Sequence, residues 1–213
     1  MGLPKTDYTR MLIAANQPAL DDLRAWIFHP GMLFDSTDKW WGDFGTREFP
    51  HEGIDLCLYR DRSGQTQGVR PEIRIPAMGG GIVRARFKDY LGQAIIIEHT
   101  PANDSNAEES RFLSVYAHTR PLDHIRPGMR LSRGDIIAGI ADTRHAKARI
   151  LPHLHLSLAV PDPDLSYEGF YWNIMRDPAR ITLINPMGVL EPIHHVPDKG
   201  SLNKLLVESF YSR

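Results

Sequence analysis

His153-Leu154-His155-Leu156-Ser157-Leu158 is the stretch from which the fold of this chain is best read. Its alternation is strict. In a strand, both histidines project from one face and the three leucines from the other, because successive side chains point to opposite sides. Side chains two positions apart lie ~6.5–7 Å from each other at a rise of ~3.3 Å per residue. That spacing lets one histidine hold a metal while its neighbour reaches a reacting group alongside. The plainer alternative is a solvated strand face with two exposed histidines.

Working outward, residues 35 to 193 have the same texture of short apolar stretches broken by Gly, Pro and Asp. Candidate strands are 54–59, 81–87, 93–98, 112–118, 135–140 and 153–160. The polar stretch 100–110 reads as an exposed hairpin loop. Seventeen glycines and sixteen prolines in 213 residues lean toward turn-rich β structure. Residues 18–28 read as an amphipathic helix: Pro18 suits the first turn, Leu20, Leu23, Ile27 and Phe28 share a face, and His29-Pro30-Gly31 stops it. Ser201 is placed to cap a last helix with Leu202, Leu205, Leu206 and Phe210 at helical spacing. The expected organisation is an N-terminal helical extension (1–34), one β-rich domain (35–197) and a C-terminal helix (198–213). The expected fold is mainly β, an antiparallel sheet with short helices at both ends.

Composition excludes several classes. A net charge of −1 gives no global basic field for nucleic acid. Arg111, Arg120, Arg126, Arg130, Arg133, Arg144, Lys147 and Arg149 outnumber Asp123, Asp135 and Asp142 over 111–150, which reads equally as an anion-attracting patch or as solvated loop residues. The longest apolar run near the start, Met11 to Ala15, is too short for an export signal or a membrane span. A single cysteine, Cys57, rules out an internal disulfide. Ten histidines exceed what packing needs.

Two further histidine patterns stand upstream. In His51-Glu52-Gly53-Ile54-Asp55, an extended chain would hold His51 and Asp55 ~13 Å apart, whereas a turn at Gly53 would fold them together. Both types are ordinary zinc ligands, and a surface turn is the bland alternative. In Ser114-Val115-Tyr116-Ala117-His118, alternation puts Ser114, Tyr116 and His118 on one face, with a structural role for His118 left open. Cys57 reads as a small buried side chain rather than a soft ligand. His29, His99, His124, His145, His194 and His195 have no partner at ligand spacing.

Taken in order, these pieces resemble the lysostaphin/LytM-type zinc metallopeptidases. Phe44-Gly45-Thr46-Arg47 followed by His51-Glu52-Gly53-Ile54-Asp55-Leu56 is similar to that family's F-G-x-R … H-x-G-I-D opening. Ile75-Pro76-Ala77 with Gly81-Ile82-Val83, then Val115-Tyr116-Ala117-His118, Gly128, Gly134-Asp135-Ile136-Ile137-Ala138-Gly139 and Pro152-His153-Leu154-His155 follow in the family's sequence of motifs. The match runs from residue 43 to about 190. Departures are Ala141-Asp142-Thr143-Arg144, where the family has a small turn, and Leu156-Ser157 after the H-L-H.

The resemblance implies a groove-forming sheet of the duplicated-hybrid-motif kind. It implies one zinc per chain held by His51, Asp55 and His155, with His118 and His153 as the catalytic pair. Three protein ligands leave a position for water, as a catalytic site requires. No glutamate is placed as in H-E-x-x-H enzymes, so a histidine must move the proton. An ordinary histidine pKa near 6.5 suits that work at neutral pH. His153 is read as the base and His118 as the stabiliser, with the roles exchangeable. The implied activity is endopeptidase hydrolysis of peptidoglycan stem or cross-bridge peptides, acting at the cell envelope or outside the cell if that is the substrate. A non-catalytic relative that binds or regulates cell-wall enzymes is the alternative. A carrier-type barrel would need an exposed lysine at a hairpin tip, and none is evident. Neither a nucleic-acid partner nor a membrane span is expected, and nothing in the sequence sets an oligomeric state.

Overall fold

The alternating stretch becomes a strand at the centre of the molecule in a computed structural model that describes residues 7–100, 111–143, 150–190 and 194–207. In chain order its elements are α1 (Tyr8–Ala15), β1 (Ala25–Ile27), β2 (Ile54–Leu56), β3 (Leu58–Arg60), β4 (Thr66–Gly68), β5 (Arg74–Pro76), β6 (Gly81–Lys88), β7 (Gln93–His99), β8 (Phe112–Pro121), β9 (Arg130–Leu131), β10 (Ile136–Ile140), β11 (Leu154–Pro161), α2 (Trp172–Met175), β12 (Ile181–Ile184), β13 (His194–His195) and α3 (Lys199–Leu206). Nine strands form the main sheet, with the run β12-β11-β8-β7-β6-β9, β2 paired to β11, and β5 and β10 joined through β8. A smaller sheet runs β13-β1-β3-β4. All described pairings are antiparallel except β1 with β13. The fold is mainly antiparallel β with a short helix toward each end, as the sequence predicts.

The central strands are buried on both faces, so alternation sorts their side chains between two cores rather than between core and solvent. Leu154, Leu156, Leu158, Tyr116, Ile95 and Ile97 fill the larger core. Val115, Ala117, Ala159, Ala94 and Ile96 face a smaller one, closed by Phe170, Trp172, Ile174, Met175 and Ile181. Tyr8 and Leu12 of α1, and Leu202 and Leu206 of α3, belong to the larger core.

Three expectations are corrected. Residues 18–28 are not a helix. The helix is Tyr8–Ala15, capped by the Asp7 side chain accepting from Arg10 N, and it ends at Asn16. Asn16 then clips the chain to β5 by bonding the Arg74 N–H and C=O at 2.7 and 2.8 Å. Beyond turns at 18–22, the consecutive buried Trp26 and Ile27 pair with Tyr59 and Leu58 on one side and with β13 on the other. Aromatic and β-branched residues suit such a strand better than a helix face. The expected strand 54–59 is two strands, because the chain leaves the main sheet at Cys57 and enters the small one. Cys57 is buried, with its thiol 3.6 Å from the Pro152 carbonyl, and is a packing residue.

The third correction concerns His118. Gln93 pairs with Thr119 but Ile95 with Tyr116, so Ala117 and His118 together face the single Ala94. This is a β-bulge, and His118 has φ 58°. Strict alternation would aim His118 into the larger core beside Tyr116. The extra residue turns it to the other face, the face of Ala117 and of His155 directly across from it.

Among the expected features, residues 101–110, Arg144, His145, Lys147, Arg149 and Phe210 lie outside the described residues.

Candidate metal centre

His155 follows from the pleat of β11, and Asp55 stands directly opposite it on β2. His51 comes from the irregular chain before β2, pinned by His51 N–H to Ser36 O at 3.0 Å and Asp35 N–H to His51 O at 2.9 Å. The bend at Glu52-Gly53 returns it toward Asp55. Only glycine fits there: a Cβ on Gly53 would lie 2.2 Å from the Leu156 carbonyl oxygen and 2.7 Å from Ser157 Oγ. His51 Nε2, Asp55 Oδ1 and His155 Nδ1 form a triangle with sides of 3.0, 2.9 and 3.0 Å. All three residues are buried.

The far end of each of these three side chains is held. His51 Nδ1–H donates to the Leu33 carbonyl at 3.0 Å, which leaves Nε2 as a lone pair. The other nitrogen of His155 bonds Ser157 Oγ at 2.8 Å. Asp55 Oδ2 accepts from the Trp40 indole N–H at 2.7 Å and lies 3.6 Å from the Arg47 guanidinium. The inward atoms are acceptors crowded within 3 Å, and a cation or added protons must separate them. One carboxylate and two imidazoles backed in this way are a donor set suited to zinc. Burial raises the Asp55 pKa, but its electrostatic interactions with His51 and His153 and its close contacts with His155 and His51 outweigh burial and hold the carboxyl well below its usual range.

His153 and His118 stand beside the triangle. The His153 and His118 rings are 4.8 Å apart, and the His118 and His155 rings 5.8 Å. His153 Nδ1–H donates to the Leu151 carbonyl at 2.7 Å, and its Nε2 lies 3.8 Å from Asp55 Oδ1. His118 is backed by a carboxylate instead. Its Nδ1 is 3.2 Å from Asp89 Oδ1, and its backbone N–H donates to Asp89 Oδ2 at 2.8 Å. Asp89 also accepts from Leu91 N–H and Gly92 N–H. Burial raises the Asp89 pKa, but the bonds and charge of His118 win and bring it down to about 2. Burial pushes His153 down to about 3, with the Asp55 charge opposing. The ordinary value of 6.5 assumed from sequence does not apply to His153.

These groups open on a groove of about 350 Å³ lined also by Trp41, Phe49, Glu52, Tyr90, Trp172 and Arg176. Glu52 is buried and accepts from Arg176 Nε. Burial raises its pKa, but its electrostatic interactions with His155 and Arg176 and the bond from Arg176 bring the net value below the usual one. Trp40, Asp89, Trp172 and Arg176 escape sequence reading. Nothing in the local sequence Asp89-Tyr90-Leu91-Gly92 ties it to His118. The remaining described histidines are elsewhere. His29 caps the Pro30–Met32 turn and bonds Asn203, His99 is buried against Ser114, and His124 and His195 are exposed. His194 pairs in β13.

The fold and these residues define a class: an antiparallel β protein whose groove floor carries one carboxylate and four histidines, three of the five able to hold a metal ion. No protein-family model matches the sequence, and no curated protein matches it. Solved structures similar to the chain include the catalytic domain of the antimicrobial peptidase lysostaphin from Staphylococcus simulans, 15% identical over 84% of this chain and 93% of that one, with a TM-score of 0.41. Csd3 from Helicobacter pylori is 19% identical over 89% of this chain and 40% of that one, with a TM-score of 0.41. A zinc-containing peptidase from Vibrio cholerae is 21% identical over 64% of this chain and 37% of that one, with a TM-score of 0.37. The chain thus spans well under two thirds of the length of the last two.

Proposed function

We propose that this protein is a zinc-dependent endopeptidase acting on peptides, with peptidoglycan stem or cross-bridge peptides as the substrate the motif resemblance favours. The observation that carries the reading is the triangle of buried acceptor atoms from His51, Asp55 and His155, with two further histidines on its groove side. Zinc in that position would act as a Lewis acid, polarising a peptide carbonyl and bringing the pKa of water toward about 7. The chain's own residues handle protons and orientation. His118 Nδ1 lies 3.2 Å from the Asp89 carboxylate, and a carboxylate neighbour supports the imidazolium that forms on accepting a proton. His153 is buried and backed only by a neutral carbonyl, so it stays neutral and orients water by accepting a hydrogen bond at Nε2. That exchanges the roles first read from sequence, with His118 as the proton acceptor.

The test is metal analysis followed by digestion of purified peptidoglycan, glycine-rich peptides and D-amino-acid stem peptides, read by mass spectrometry. About one zinc per chain and a defined cleavage product are expected. A well-folded preparation that never takes up zinc at neutral pH would sink the reading.

A further inference from the structure

The short helix α2 and the residue that ends it set Trp172 and Arg176 at the groove, each with an N–H donor that has no acceptor among the described residues. Trp172 and Arg176 are four residues apart, which sets them on one side of the helical turn, and both line the groove. Ile174 and Met175 anchor the turn in the smaller core. The Trp172 ring stands edge-on to the His155 ring at 5.4 Å. Trp172 is 5% exposed, and its indole N–H has no acceptor among the described residues. Buried donors are almost always satisfied, so an orphan beside the reacting groups calls for an acceptor from outside.

Arg176 is held from two sides. Its Nε donates to Glu52, and its guanidinium lies 4.4 Å from the centre of the Phe49 ring. The terminal N–H groups are left without a partner among the described residues, and the side chain is 30% exposed. A guanidinium fixed by stacking and by one edge presents its other edge ready-made for a carboxylate. The other groove cations are engaged. Arg47 donates to the Asp38 and Gly31 carbonyls and faces Asp55, and Lys39 pairs with Asp43.

We propose that Trp172 and Arg176 form a subsite for a free carboxylate on the peptide being cut, Arg176 pairing with the carboxylate and the Trp172 N–H donating to a neighbouring carbonyl. The substrate class is then an acidic peptide rather than plain polyglycine. The inference rests on the peptidase reading for the word substrate, and on geometry alone for the binding.

The experiment uses acetylated, amidated pentaglycine in which one glycine at a time is replaced by glutamate or glutamine, in L and D forms. Cleavage is measured on the zinc-loaded protein, and binding by calorimetry on zinc-loaded His118→Ala, which keeps all three metal ligands. At one position glutamate should bind and react roughly 10- to 100-fold better than glutamine. Arg176→Gln should bring that ratio close to one, and Arg176→Lys should restore only part of it, since an ammonium lacks the fork. Because Arg176→Gln leaves Glu52 buried without its partner, Glu52→Gln/Arg176→Gln is measured alongside and should show the same loss. Absence of any glutamate preference, or its survival in both Arg176→Gln variants, overturns the proposal. Cleavage without preference removes the subsite and leaves the peptidase. An Arg176-dependent preference in binding with no cleavage removes the peptidase and leaves the subsite.

Discussion

His51, Asp55, His153 and His155 are each hydrogen-bonded at the outer end, and that is what gives the individual residues separable roles. His155→Ala removes a ligand, so zinc affinity should fall by orders of magnitude and activity with it. His118→Ala and His153→Ala leave the three ligands in place, so zinc should stay while turnover falls, by about 10²–10⁴ for His118 as the proton acceptor. Zinc content and peptide cleavage measured side by side check this. If His153→Ala loses the metal and His155→Ala keeps it, the ligand assignment is reversed. Burial of His153 and His155 at 1% and 4% exposure means the variants also need a folding control, which the expected polar strand face would not have required.

Asp89 provides a residue-scale prediction with a sign. Its folded pKa of about 2 lies below the ordinary carboxylate value. A depressed carboxyl contributes stability that is complete above the unfolded pKa near 4 and is lost as pH falls through 2. The contribution is at most about 2.5 kcal/mol. Urea unfolding of wild type and Asp89→Asn between pH 6 and 2.5 should show the variant less stable at pH 6 and the gap closing in acid. The same variant should keep zinc and lose about 10- to 100-fold in turnover, because His118 loses its charged partner. A variant with undiminished turnover would take Asp89 out of the mechanism.

At the scale of elements, alternation made β8 and β11 legible, and a short apolar run made β7 legible. Alternation failed where the period breaks. The bulge at His118 adds one residue opposite Ala94, and no sequence pattern marks which residue is doubled. The helix placed at 18–28 failed for another reason: helical spacing of Leu20, Leu23 and Ile27 is equally compatible with a turn followed by a buried strand, and the partners that decide, Tyr59 and His195, are distant in the chain. The cluster of His51, Asp55 and His155 was legible because two short motifs carry it. Trp40, Asp89, Trp172 and Arg176 were not, since each meets the site only through tertiary contact. Gly53 was legible as a turn, and the structure adds why it cannot be replaced. Gly53→Ala forces a methyl against the Leu156 carbonyl, which should cost about 1–3 kcal/mol in stability and shift His51 away from Asp55. Zinc affinity measured by chelator competition should drop well beyond what the stability loss explains. An unchanged affinity would show that the bend can move without the ligand.

For the whole molecule, an ion held at this site would be linked to the fold by mass action. Residues of β2, of β11 and of the chain ahead of β2 converge on one point, so an ion there binds the folded state and not the open chain. At a thousandfold excess over its dissociation constant the stabilisation is about 4 kcal/mol. For a chain of this size that is roughly 8–16 °C in melting temperature. Thermal unfolding with and without a strong chelator should show a shift of that order, reversed by adding zinc. No shift would separate the site from the stability of the sheet. Both end helices put side chains into the larger core, so the loss should be felt across the chain rather than at the groove alone.

The face-to-face placement of Asp55 and His155 on β2 and β11 makes the metal site an internal check on alignment. Because side chains alternate, sliding β2 by one residue would bring Ile54 or Leu56 to the place of Asp55 and offer the ion a hydrocarbon. Stoichiometric zinc uptake therefore counts molecules whose two strands have found their proper partners. During refolding, a colorimetric zinc probe would time that alignment separately from the collapse of the core.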